Sequence, residues 1–186
     1  MPAIESAKIA ILATDGYEQS ELFTPLEQLR AKGADVHVVS LEAGEIKAWD
    51  KDDWGKTVPV DRTLSEVSVA EYDALVLPGG QINPDLLRVE DAAISFVRDF
   101  VSSGKIVAAI CHAPWILIEA GVVEGREMTS YKSIRTDLRN AGANVVDKQV
   151  AVSNGIITSR NPDDLDAFVA KIVEEVEEGR HERPAA

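Results

Sequence analysis

The sequence predicts an α/β fold built on a mostly parallel sheet with helices on both faces. Three observations lead there. Short, continuously apolar runs alternate with longer stretches whose apolar residues recur at helical spacing. Runs without in/out alternation suit strands buried on both faces, as in parallel sheets. The chain has 186 residues, and at roughly 150 residues per domain this favours one domain.

Taken in order, Lys8 to Ala13 (KIAILA) reads as a strand. Glu21 to Ala31 carries Leu22, Leu26 and Leu29 on one helical face and stops at Lys32-Gly33. Asp35 to Leu41 is a second strand. Lys47 to Asp61 is polar, holds two Trp and reads as a hairpin excursion. Ala74 to Leu77 is a third strand, ended by Pro78-Gly79-Gly80. Asp91 to Val101 is a helix with Ile94, Val97 and Val101 on one side, and Ile106 to Ile110 is a doubly buried strand. Pro114 to Ala120 is a helix with Pro in its first turn, where a missing N–H costs little. Val145 to Ser159 holds two strands around the turn Ser153-Asn154-Gly155. Asp163 to Val176 is the last helix. The expectation is a single domain over residues 1–186, with residues 1–7 and 177–186 as flexible tails.

Composition excludes several functions. Nineteen Lys and Arg against 32 Asp and Glu give a net charge of −13. That field repels phosphate backbones and anionic lipid, so no nucleic-acid or membrane partner is expected. The longest apolar runs, such as Ile9 to Ala13, are far short of a bilayer span, and Met1 to Lys8 shows no signal-peptide pattern. A single cysteine forms no internal disulfide. A cytoplasmic protein is the simplest expectation. No G-x-G-x-x-G follows a strand, no phosphate-binding lysine loop is present, and no Cys/His group has zinc spacing, so neither cofactor nor metal is expected. Asp50 to Asp53 reads as a solvated acidic turn rather than a calcium loop.

Ligands of open α/β sheets bind beyond the carboxyl ends of the strands. This rule selects Thr14 to Gln19, Pro78 to Asp85, Cys111 to Trp115 and Tyr131 to Ile134. Cys111 is the only cysteine, and His112 follows it. A residue at a sharp strand-to-helix turn is pushed up out of the sheet, the geometry of a nucleophile elbow. A helix N-terminus nearby lowers a thiol's pKa. A lone cysteine is otherwise a small core hydrophobe, but its place at the strand's end favours a reactive thiol. His37, inside a strand, and His181, in the tail, are poorer partners. In Pro78-Gly79-Gly80 the glycines either permit a tight reversal or offer an N–H to a developing oxyanion. Glu18 is either a solvated carboxylate or, if enclosed beside Cys111, a protonated donor to the sulfur.

At these residues the sequence resembles a known family. The run AICHAPW, the LPGG turn, the segment DGYEQSEL and TSYKSIRTDLRNAGA match the PfpI-type intracellular proteases. These belong to the class I glutamine-amidotransferase-like superfamily, which also contains a protein deglycase. The resemblance runs from about Lys8 to Val176. It implies a flavodoxin-like three-layer sandwich with Cys111 as nucleophile and His112 as its partner. Glu18 would be the glutamate that hydrogen-bonds the sulfur, and the N–H groups of Gly80 and His112 would form the oxyanion hole. The family's third acidic residue comes from a neighbouring subunit, and its place here is Asp85, one methylene shorter than the usual Glu. A homo-oligomer is therefore implied. Trp49 and Trp54 line either a pocket or an interface.

The activity expected is a stress-protective cysteine hydrolase. Its substrates would be small carbonyl compounds, peptides, or protein side chains glycated by methylglyoxal or glyoxal, with peptidase, deglycase and glyoxalase chemistry all open. The alternative is a thiol redox sensor or stress holdase without turnover, since an exposed low-pKa thiol oxidises readily.

Overall fold

The computed structural model describes residues 3–183. Eighteen regular elements follow one another. They are β1 (Lys8–Leu12), β2 (Tyr17–Glu18), α1 (Gln19–Ala31), β3 (Asp35–Ser40), β4 (Glu45–Asp50), β5 (Asp53–Pro59) and β6 (Arg62–Thr63). Then come β7 (Ala74–Leu77), α2 (Ile82–Leu87), α3 (Asp91–Ser102), β8 (Ile106–Ile110), α4 (Pro114–Glu119) and β9 (Glu127–Met128). The last are α5 (Arg135–Asn140), β10 (Asn144–Val145), β11 (Val150–Ser153), β12 (Ile156–Ser159) and α6 (Leu165–Glu178).

Seven strands form the central sheet in the order β11-β12-β8-β7-β1-β3-β6. All pairings in it are parallel except β11 with β12. The period of two in the pleat explains why the strands are apolar throughout. Ile9, Ile11, Val36, Val38, Val76, Ala108 and Ile110 face one way, onto Leu22, Leu26 and Leu29 of α1 and Phe168, Ile172 and Val176 of α6. Ala10, Leu12, Val39, Leu75, Leu77, Val107 and Ala109 face the other way, onto Val97 and Phe100 of α3 and Ile116 and Leu117 of α4. This is the flavodoxin-like three-layer sandwich expected from the sequence.

The two excursions form as the turn residues dictate. Asn154 and Gly155 both have positive φ, 52° and 76°, the backbone that a two-residue hairpin requires. β4 and β5 form an antiparallel hairpin with Lys51 at φ 59° in its turn. With β2 they make a separate three-stranded sheet, which stands beside the carboxyl end of β1.

Several expectations need correcting. α2, α5 and the short β9–β10 pair have too few apolar positions to register as periodic segments. Of the expected tails, residues 1–2 and 184–186 lie outside the described residues; among the described ones, residues 7, 181 and 183 are bonded to the body of the fold. Ala7 is fully buried and its carbonyl accepts the Asp35 amide. Beyond α6, the His181 amide donates to Gly104 O at 2.8 Å, and Arg183 donates to the carbonyls of Val101, Lys105 and Asn154. Polar composition suggests fraying there, but the partners are backbone carbonyls at the sheet's amino end, which composition does not reveal. Among the described residues no helix is long and apolar enough to cross a membrane.

Candidate active site

β8 delivers Cys111 to the sheet's carboxyl end, where φ turns to 66°. A non-glycine residue in this left-handed region is strained, and such strain persists where the surroundings over-determine it. Here the Cys111 amide donates to Ser159 O at 3.0 Å and its carbonyl accepts the Tyr131 amide at 2.9 Å. The chain then passes through a turn into α4. The sulfur is thereby lifted out of the sheet into a cavity of about 350 Å³ lined by Gly16, Glu18, Glu21, Trp49, Lys51, Gly80, Ile82, His112 and Tyr131. Cys111 remains only 5% exposed. It is reachable through the cavity, not across an open surface.

His112 Nδ1 lies 3.1 Å from Cys111 Sγ, and Nε2 lies 3.1 Å from Ser133 Oγ. The ring stacks on Tyr131, centroids 4.8 Å apart, and meets Trp115 edge-on. Burial pushes the imidazole below its ordinary value, so the ring is neutral near pH 7. A Ser133 hydroxyl donating to Nε2 leaves the ring proton on Nδ1, pointing at sulfur.

The carboxyl beside the sulfur is Glu21, not Glu18. Glu18 caps α1: its Oε2 accepts the Ser20 hydroxyl and, at 2.9 Å, the Glu21 amide. That cap turns Glu21 inward. Glu21 is fully buried, and Oε2 accepts the Gly79 amide at 2.7 Å. Oε1 is buried without a hydrogen-bond partner of ordinary geometry among the described residues, while the carboxyl lies within hydrogen-bonding reach of the sulfur. Burial first, then the Glu18 charge, pushes Glu21 up to about 8. Burial first, then Glu21, also pushes the Cys111 thiol up, while the Gly80 and His112 amides pull it down. The thiol lowered by a helix N-terminus that the sequence suggests is thus corrected. α4 is only six residues long, and desolvation outweighs its dipole. Both shifts favour the protonated forms near neutrality, and loss of the first proton leaves a thiol and a carboxyl coupled through the one that remains. A protonated Glu21 removes the repulsion and donates to a thiolate.

Gly79 and Gly80 are required sterically. A Cβ on Gly79 would lie 2.5 Å from Glu21 Oε2 and 2.7 Å from Cys111 Cβ. Gly80 has φ 80°, and a Cβ there would lie 2.6 Å from Gly16 O. The bare turn brings the Gly80 amide to the sulfur. Buried Asn83 staples the turn, taking the Thr14 amide on Oδ1 and donating Nδ2 to Pro78 O.

The structure therefore brings together Cys111, His112, Gly80 and Glu18 around one cavity, with Glu18 as helix cap. Asp85 does not join them within the chain: it is exposed on α2. Trp49 lines the cavity, and Trp54 packs edge-on against it while staying exposed. Glu21, Ser133 and Tyr131 complete the set. Glu21 has a signal in the sequence, since it falls in the apolar stripe with Pro25 and Leu29, where a solvated acid does not belong.

The DJ-1/PfpI family model matches residues 7–175. Protein/nucleic acid deglycase 2 of Escherichia coli is 45% identical over 88% of this chain and 94% of its own. Deglycase PfpI of Pyrococcus furiosus is 42% identical over 89% of this chain and 97% of its own. Among solved structures, Drosophila melanogaster DJ-1beta superposes with a TM-score of 0.82 at 31% identity, covering 93% of this chain and 95% of that one. A two-domain protein of Anabaena variabilis, with DJ-1/ThiJ/PfpI-like and ferritin-like domains, gives a TM-score of 0.87 at 34% identity. That match covers 92% of this chain and 48% of the two-domain one.

Proposed function

Because the chain belongs to the DJ-1/PfpI family, whose matched relatives include enzymes named deglycases, we propose that it is a Cys111-dependent deglycase and glyoxalase. Its substrates are methylglyoxal or glyoxal and the early adducts these form with protein side chains. The carrying observation is the enclosed sulfur: 5% exposed, at an elbow, between the Gly80 and His112 amides and the buried Glu21 carboxyl, which burial pushes up to about 8. A three-carbon dicarbonyl or one extended side chain enters a cavity of about 350 Å³. A peptide backbone, bulky on both sides of its scissile bond, fits it poorly, which favours deglycation over proteolysis.

The chemistry follows from the groups present. Sulfur adds to the aldehyde carbon as its proton passes to the Glu21 carboxylate, or replaces the amine at the aminocarbinol carbon of an adduct, giving a hemithioacetal; Glu21 then hands that proton to the alkoxide or to the departing amine. Its oxyanion is met by the Gly80 and His112 amides. Glu21, as carboxylate after giving up its proton, takes the proton from C1 and returns it at C2. The resulting thioester is hydrolysed by water to a 2-hydroxy acid, restoring the thiol. Glu21 can serve both as donor and base because burial pushes it up to about 8, within reach of neutral pH.

Oligomerisation belongs to the same proposal. Ile82, Leu86 and Val89 are exposed by 36%, 44% and 74% and fall on one side of the α2 segment around Asp85. Such a stripe suits a second copy, which would bring its Asp85 to this site. The acidic excess supports protein side chains and free dicarbonyls over polynucleotides as substrates.

The test is conversion of methylglyoxal, glycated N-acetylarginine, glycated guanine nucleotide and casein by wild type and Cys111→Ala. Loss of at least about 10³-fold on the first two is expected in the variant. Undiminished turnover in Cys111→Ala sinks the mechanism. Casein as the preferred substrate would restore the peptidase reading.

A further inference from the structure

At the amino end of the sheet, opposite Cys111, three side chains converge outside the site described above. Glu175 and Glu178 stand one turn apart on α6, and Gly179, at φ 96°, reverses the chain so that His181 folds back over that turn. One donor atom from each lies within 4.8 Å of the other two. We propose that Glu175, Glu178 and His181 form a site for a divalent transition-metal ion of the zinc type, which clasps the C-terminal strap to α6.

A second observation separates this from an ordinary acidic cluster. Glu175 is 5% exposed. Its Oε2 sits 2.9 Å from His181 Nε2, yet both atoms are buried and neither makes a hydrogen bond of acceptable alignment among the described residues. A simple ion pair at this distance would aim the ring N–H at the oxygen. Two donor atoms that face each other without that alignment, with a third carboxylate beside them, are arranged as ligands gathered around a shared cation.

The ring is also held in place. The His181 amide donates to Gly104 O at 2.8 Å, and the ring lies against bare Gly155, where any Cβ would fall 2.5 Å from His181 Cδ2. Two cations lie near, but Lys171 Nζ is paired with Glu174 at 2.7 Å and Arg183 is held by the carbonyls of Asn154, Val101 and Lys105, so neither hydrogen-bonds Glu175. Two carboxylates and a neutral imidazole carry two negative charges, which a divalent ion balances. Mixed nitrogen and oxygen donors select zinc-like metals over calcium or magnesium, which prefer oxygen alone. Three protein ligands leave a fourth position for water. Glu175 is the last residue of the stretch that the family model covers, residues 7–175, and Glu178 and His181 lie beyond it.

The test uses the full-length chain carrying Cys111→Ala, so that the thiol cannot compete for metal. Zinc sulfate is titrated calorimetrically near neutral pH, and thermal unfolding is followed with and without metal. Expected are one zinc per chain with micromolar or tighter affinity, a raised midpoint, and no such rise with calcium or magnesium. Glu178→Gln and His181→Ala should each weaken zinc binding by at least about tenfold. Glu178 is exposed, so its variant keeps the fold should His181→Ala loosen the strap. Absence of zinc binding, or equal binding in both variants, overturns the proposal.

Discussion

Glu21 and Cys111 meet across the bare backbone of Gly79, a fully buried carboxyl against a sulfur that is 5% exposed. Neither group can ionise freely while the other is charged, so the pair moves through its protonation states together. The pH behaviour of both activity and stability follows from that coupling.

A carboxyl raised from 4.5 to about 8 keeps its proton in the folded chain over a range where the unfolded chain has lost it. Folding then takes up a proton, and stability falls as pH rises through that window. Glu21→Gln abolishes the titration. Relative to wild type the variant should gain stability between about pH 5 and pH 8. The gain reaches up to a few kcal/mol, since each tenfold change in proton affinity is worth about 1.4 kcal/mol. Urea unfolding at both pH values measures this. Parallel profiles for the two proteins would show that Glu21 is not a buried titrating group. Turnover should fall sharply in the same variant, since the amide neither donates an acidic proton nor acts as a base.

Ser133 hydrogen-bonds the nitrogen of His112 that faces away from the sulfur, so it is a positioning residue. Ser133→Ala should lower kcat about 2- to 10-fold, the worth of one ordinary hydrogen bond, with KM unchanged. Ser133→Thr should restore most of it. A change in KM alone would mean that Ser133 meets the substrate instead.

Gly80→Ala forces a Cβ to 2.6 Å from the Gly16 carbonyl at a φ of 80°. A loss of about 2 kcal/mol or more in stability is expected. Turnover should drop even well below the melting temperature, because the oxyanion-binding amide moves. A variant with wild-type kcat would remove Gly80 from the oxyanion role.

Leu86→Glu places a charge in the exposed stripe beside Asp85. Sedimentation should then report a smaller assembly than wild type, and kcat should fall alongside, matching Asp85→Asn. If Leu86→Glu becomes monomeric with full activity, each chain's site is self-sufficient and Asp85 has no role at His112.

The sheet and its helices are legible in the sequence because long-range order here rests on local patterns: continuous apolar strands, 3.6-residue stripes and Asn-Gly turns. The nucleophile is legible for a similar reason, since strand, cysteine, histidine and Pro-starting helix are adjacent in the chain. The acid is legible only through one mark, the place of Glu21 in the apolar stripe of α1; Glu18 and Glu21 are both close to the strand end, and the cap that Glu18 makes turns Glu21 inward. Ser133 and Tyr131 reach His112 from 19 to 21 residues away, a contact no local pattern encodes. The thiol's pKa moves opposite to the direction its helix suggests because burial, the dominant influence, is a property of the packed molecule.

The floor of the cavity and one of its walls have separate origins. Cys111 and Gly80 stand on the seven-stranded core, whereas Trp49 and Lys51 come from the small β2-β4-β5 sheet. Substitutions in that flap can retune which adducts are admitted without disturbing the elbow beneath. Divergence of substrate preference among relatives sharing one nucleophile is then expected to concentrate between residues 45 and 59.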